Sequence, residues 1–170
     1  MTASRPVPAL LSKADREAAE DTAMHSEISR SNRTLGDRAF EYSETTRAIR
    51  VTVKPIYLAE QSSPADRHYV WAYQVRIENH GSETVQLRSR HWRITDGMGR
   101  LQEVRGPGVV GEQPVLAPGQ SFEYRSGTPL ETPSGIMVGS YRMETREGES
   151  FEVAIPAFSL DSPHQKIRLN

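Results

Sequence analysis

Cysteine is absent from the 170 residues. That single absence excludes disulfides, thiolate zinc sites, iron–sulfur clusters and a cysteine nucleophile. A long apolar run is also missing: nothing approaches the roughly 20 residues that a membrane-spanning helix requires. Charge of one sign is not in excess either. Lys and Arg number 21 against 22 Asp and Glu, a formal net charge of -1. Binding to a phosphate backbone normally draws on a basic surplus, so a nucleic-acid partner is not expected. The start, MTASRPVPALLSKADRE, lacks a basic segment followed by a long apolar core. No signal peptide is expected, and the expected compartment is the cytoplasm. Mean hydropathy is -0.61, and the length suits one domain.

Aromatic residues are missing from one part of the chain in particular. Residues 1–39 contain no Trp, Tyr or Phe. Their scattered large apolar residues bury too little area to offset the entropy of ordering. Ser12 with Asp15 can cap a short helix over 13–24, but a helix of that length is marginal alone. Residues 1–44 therefore read as a mostly disordered extension with at most a fraying helix, residues 45–163 as the domain, and 164–170 as a tail.

From Thr45 onward the apolar period is two. Ile49, Val51 and Val53 alternate with Arg50, Thr52 and Lys54, which predicts a strand with one buried face. Trp71, Tyr73, Val75 and Ile77 repeat the pattern and end at the turn signal Asn79-His80-Gly81-Ser82. Between 84 and 95, Val85 and Leu87 share one parity while Trp92 and Ile94 share the other. One buried face can hold all four only if a residue is inserted, so a β-bulge is expected between Ser89 and His91. Asp96-Gly97-Met98-Gly99 closes a turn before a short strand over 101–104. Further strands are read over 120–125, 136–143 and 151–155. The 11 Pro and 12 Gly fall mostly between them. About seven short strands with turn residues between them predict an all-β fold: an antiparallel β-sandwich of the immunoglobulin or fibronectin type III kind. A small barrel is the alternative.

Two constellations invite a chemical reading. Gly106-Pro107-Gly108-Val109-Val110-Gly111 fits G-x-G-x-x-G. In a dinucleotide fold that loop opens a helix whose N-terminus meets the pyrophosphate. Here Pro114 and Pro118-Gly119 follow, which forbids a helix of useful length, and Pro107 removes a donor. The run reads as a tight crossing of the sandwich, with a loop anion nest assisted by Arg105 as the alternative. The second constellation is Arg88-Ser89-Arg90-His91-Trp92-Arg93 with Asp96 beyond. Trp92 reads as core. The arginines and His91 are candidates for a phosphate- or acidic-peptide-binding patch, because a bulge often re-aims side chains and arginine binds such groups in a bidentate way. The candidate binding surface is therefore Arg90, His91, Arg93, Asp96, Arg105, Gly106, Gly108 and Gly111.

No two of the five histidines lie within four residues of each other, so no metal site is expected. G-x-S-x-G is absent and no acid–base pair is visible, so neither catalytic residues nor a cofactor are expected.

The segments Gln61-Ser62-x-Pro64, Tyr69-x-Trp71-Ala72-Tyr73-x-Val75-x-Ile77-Glu78-Asn79 and Gln86-Leu87 resemble the ApaG domain family, also called CorD. So do Arg90-His91-Trp92-x-Ile94-Thr95-Asp96-Gly97, GPGVVGEQPVLAPG over 106–119, and Phe122-x-Tyr124-x-Ser126-Gly127. GIMVGSY over 135–141 and Phe151-x-Val153-x-Ile155-Pro156-x-Phe158-x-Leu160 complete the match, which spans about 45–163. The N-terminal extension departs from the usual bacterial pattern. The resemblance implies a fibronectin type III-like sandwich and no established enzymatic activity. It also implies a phenotypic link to cobalt resistance and magnesium efflux, and, in eukaryotic relatives, a protein-interaction role. The expectation is a non-catalytic module with an unidentified protein partner and no membrane insertion. Unpaired outer strands leave room for a homodimer. The alternative is a nucleotide- or pyrophosphate-binding protein that uses the 106–111 loop and serves dinucleoside polyphosphate metabolism.

Overall fold

The computed structural model describes residues 40–165. Among them nine strands follow in order: β1 (Tyr42–Thr46), β2 (Ile49–Tyr57), β3 (Tyr69–Asn79), β4 (Val85–Asp96), β5 (Leu101–Pro107), β6 (Val115–Leu116), β7 (Ser121–Leu130), β8 (Ser134–Thr145) and β9 (Ser150–Asp161). Short 3-10 turns at Ala59–Gln61 and Pro64–Asp66 join β2 to β3. One sheet runs β1-β2-β3-β7 and the other β5-β4-β8-β9, with β6 adding to β4. All pairings are antiparallel. The sheets face each other across one core, giving the expected sandwich. Among the described residues no helix is long and apolar enough to cross a membrane.

The two strands beyond the expected seven are β1 and β6. β1 lies partly within the stretch read as extension. Its turn, Arg47-Ala48, holds both residues at positive φ (46° and 64°). That is the backbone of a two-residue hairpin turn, built here without the Gly or Asn that usually marks it. Arg47 is held there by Glu149 at 2.7 Å and by the ring of Phe151, 4.3 Å from its guanidinium carbon. Tyr42 adds an aromatic contact to Phe158 at 6.2 Å. β6 is only two residues long, too short for a pattern to register. The helix read over 13–24 lies outside the described residues.

The bulge in β4 is present but sits earlier than expected. Against β8, Leu87 pairs with Met143 and Ser89 with Arg142, so Arg88 is the extra residue. The loop after β5 explains the position. The Arg88 carbonyl accepts the Gly108 N–H at 2.8 Å and Gln113 Nε2 at 2.9 Å. These bonds draw Arg88 out of the β8 ladder. Beyond it, Arg90, Trp92 and Ile94 face the core, while Ser89, His91 and Arg93 face outward.

Trp92 is buried between Tyr73, at 5.3 Å between ring centroids, and Phe158, which meets it perpendicularly at 6.0 Å. Edge-to-face packing of this kind contributes about 1 kcal/mol per pair beyond area burial. Next to this cluster, the buried hydroxyls of Tyr124 and Tyr141 bond to each other across the sheets. Burial pushes both phenols above their usual range, so both stay neutral. Asn79 is the main buried amide: its Nδ2 donates to the carbonyls of Glu83 and Leu116 at 2.7 and 3.0 Å, and its Oδ1 accepts the Gly81 N–H at 2.9 Å.

Two positions tie local geometry to stability. A Cβ on Gly139 would lie 2.3 Å from the His91 carbonyl oxygen and 3.0 Å from Trp92 Cε3. β8 can approach β4 there only as glycine. At the β4–β5 turn, Asp96 accepts the N–H groups of Met98 and Arg100 at 2.9 and 3.0 Å and Arg100 Nε at 2.6 Å. Burial pushes this carboxyl up, but the two backbone donors and the guanidinium outweigh it and hold the group below its ordinary range.

Gly139→Ala should cost about 2 kcal/mol or more, because backbone must shift. Gly119→Ala, at φ 83° with open space around it, should cost only about 1 kcal/mol; urea unfolding of both variants checks the contrast. Asp96→Ala should cost about 1–2 kcal/mol at neutral pH. Because the folded-state value of Asp96 is lowered, its contribution is present above the ordinary value of 3.8 and is lost as pH falls through the folded-state value. Urea midpoints of wild type and Asp96→Ala should therefore converge in acid.

Candidate binding surface

The candidate residues all lie on the β4–β5 hairpin and the loop that leaves it, but they do not share one face. Register pairs Arg90 with Gly106, His91 with Arg105, and Arg93 with Glu103. Arg90 points inward. Its Nη1 donates to the carbonyls of Pro107 and Gly108 at 3.2 and 2.9 Å. Gly106 leaves the space for it: a Cβ there would stand 3.3 Å from the same nitrogen. Arg90 thus braces the loop from within. Asp96, at the far end of the hairpin, is occupied by its own turn.

His91, Arg93 and Arg105 point outward. Glu103 sits among them, with Oε1 3.6 Å from His91 Nε2 and Oε2 3.9 Å from Arg105 Nη2. The next strand completes the surface. By register Ser140 lies beside His91, Val138 beside Arg93 and Ile136 beside Thr95, with Arg142 beside Ser89. On the other side of Thr95 lies Leu101. Leu101 and Ile136 are exposed at 60% and 54%. The outer face of β5-β4-β8 therefore alternates guanidinium groups with large aliphatic side chains on a rigid ladder. Sequence reading missed Ile136, Val138 and Leu101. In 136–139 both parities are apolar or glycine, so alternation alone does not say which side faces water.

The glycine-rich run is a turn. Val109 and Glu112 exchange backbone bonds at 2.8 and 2.9 Å around Val110-Gly111, which stand at φ 44° and 80°. This is a two-residue turn with both central residues left-handed, a costly conformation for valine. Gly108, at φ 63°, passes so close to Glu112 that a Cβ would lie 2.3 Å from its carbonyl oxygen. The chain continues to β6, and among the described residues no α-helix follows Gly111. The N–H groups of Gly108 and Val109 are already bonded to Arg88 and Glu112, and Pro107 has none. These occupied donors weigh against a pyrophosphate cradle. Among the described residues, no three His, Asp or Glu side chains gather as metal ligands.

Comparison with known proteins agrees with the segments quoted above. A family model described as the ApaG domain matches residues 59–145. Protein ApaG of Rhodospirillum centenum is 73% identical over 129 residues, covering 76% of this chain and 99% of that protein. Protein ApaG of Paramagnetospirillum magneticum is 71% identical over the same span. Among solved structures, the putative ApaA protein from Bordetella pertussis superposes with a TM-score of 0.67 at 55% identity, covering 69% of this chain and 95% of that one. With the fold, the loop and the hairpin in agreement, the chain belongs to the ApaG domain family.

Proposed function

We propose that this protein is a non-catalytic binding module that docks a protein partner in the cytoplasm through the outer face of β5-β4-β8. The observation that carries this reading is the composition of that face: Arg93, Arg105 and Arg142 interleaved with Leu101, Ile136 and Val138. Arginine and exposed aliphatic groups held on a fixed frame are what protein interfaces favour, and lysine is absent from this patch. A flat ladder also loses little entropy on docking, since its backbone is already ordered. In this reading the family's link to cobalt and magnesium handling runs through the partner, not through an ion held by this chain.

The full chain, immobilised in parallel with an Arg93→Glu/Ile136→Asp variant, tests the assignment in extract from a related bacterium. Both side chains point to solvent, so melting temperatures should agree within a few degrees. The wild type should retain a defined protein at least about tenfold more strongly than the variant, as expected when two central contacts are removed. Equal recovery by both baits would refute the surface.

A further inference from the structure

The outer strands differ in how they are covered. β1 and β9 lie along one flank, where the Ala154 N–H donates to Thr46 Oγ1 at 3.2 Å and Arg47 reaches Glu149. β7 and β5 border the other flank. β7 carries Pro129, which has no N–H to offer. β5 has a full set of amides from Leu101 to Gly106.

The hydrogen-bond phase of β5 follows from its two ends. The Asp96 N–H donates to the Arg100 carbonyl at 3.0 Å, and the Gly108 N–H to the Arg88 carbonyl at 2.8 Å. Antiparallel bonding alternates every second residue. Both ends therefore give the same result: the backbone of Gln102, Val104 and Gly106 faces β4, and that of Leu101, Glu103 and Arg105 faces away. The side chains of Glu103 and Arg105 lie on the outer face of the sheet, opposite Arg93 and His91.

We infer that β5 pairs with β5 of a second copy of this chain, about a two-fold axis through Val104. In that register Glu103 of each copy stands opposite Arg105 of the other. These are the residues whose N–H and C=O groups point outward, so each such pair exchanges two backbone bonds and also matches opposite charges. Shifting the axis to Glu103 or to Arg105 keeps the bonding phase but sets two carboxylates or two guanidiniums face to face, which disfavours both alternatives. Leu101 reaches Pro107 of the other copy. Proline returns no N–H, so pairing ends there and does not propagate. The result is a closed, isologous contact that joins the two β5-β4-β8-β9 sheets into one. It uses the edge of the sheet; Arg105 and Leu101 belong to both surfaces, while Arg93, Ile136 and Val138 lie outside the seam, so the Arg93→Glu/Ile136→Asp variant tests the reading above without touching β5.

A short edge contact makes a weak dimer. Sedimentation of the full chain from about 10 µM to 1 mM, the range where such affinities register, should show mass rising from 19.1 kDa towards twice that value. Glu103→Arg and Arg105→Glu each place like charges opposite each other and should weaken self-association about tenfold or more. Mixed one to one, these two variants are complementary at both pairs and should associate as strongly as wild type, within about threefold. Glu103→Pro removes an outward donor without touching the bonds to β4, and should give a folded monomer. A wild type that stays monomeric up to the highest concentration overturns the inference. So does a dimer whose affinity is unmoved by the charge variants, or a mixture that fails to recover.

Discussion

Without the extra residue at Arg88, Trp92 and Ile94 would point to water while Val85 and Leu87 stayed in the core. Burying each such side chain contributes about 2–3 kcal/mol, so a regular β4 would be strongly unfavourable. The insertion lets one strand serve the core along its whole length. It also fixes the chemistry of both faces of the hairpin. Arg90 is turned inward, beside Tyr141 in register, while His91 and Arg93 are turned out. The loop after β5 holds the insertion in place through the Arg88 carbonyl, and Arg90 in turn holds that loop. Bulge, arginine brace and turn therefore form one interlocked unit.

This unit accounts structurally for a sequence run that resembles a phosphate-binding motif. Each glycine in it answers a packing or backbone demand. Gly106 leaves room for a guanidinium, Gly108 for a carbonyl, and Gly111 completes a left-handed turn. Left-handed geometry at Val110 is disfavoured for a β-branched residue. Contact of its side chain with the core offsets part of that cost.

The sandwich was legible because its strands have one wet face and one dry face. β3 shows the dry face most fully, with Trp71, Tyr73, Val75 and Ile77 all buried, although Val70 and Ala72 are buried on its other face as well. The core role of Trp92 was legible for the same reason. The need for a bulge followed from parity, but its position did not. Parity locates an insertion only to the interval between Leu87 and Trp92, and donors from a distant loop, bonding the Arg88 carbonyl, select Arg88 within it. β1 escaped because its turn uses Arg-Ala and its five residues include one large apolar side chain. The inward course of Arg90 was hidden too, since a charged residue in a strand reads as solvated unless its partners are known. Among candidate site residues, the outward set His91, Arg93 and Arg105 was visible as charge; the aliphatic half of that surface, supplied by β8, depends on a pairing far away in sequence.

The unequal flanks give the molecule a spine and a fore-edge, like a bound book. Along the spine, β1 and β9 are stitched by side-chain bonds across the layers. At the fore-edge, a cleft of about 390 Å³ lies between Leu101 and Gln102 on one leaf and Pro129 and Leu130 on the other. Backbone groups that face solvent open before those paired on both sides, and β5 is paired on one side only. Amide protons of β5 should thus be the earliest of the β5-β4-β8-β9 sheet to trade with solvent deuterium in the single chain, and those of β8 among the last.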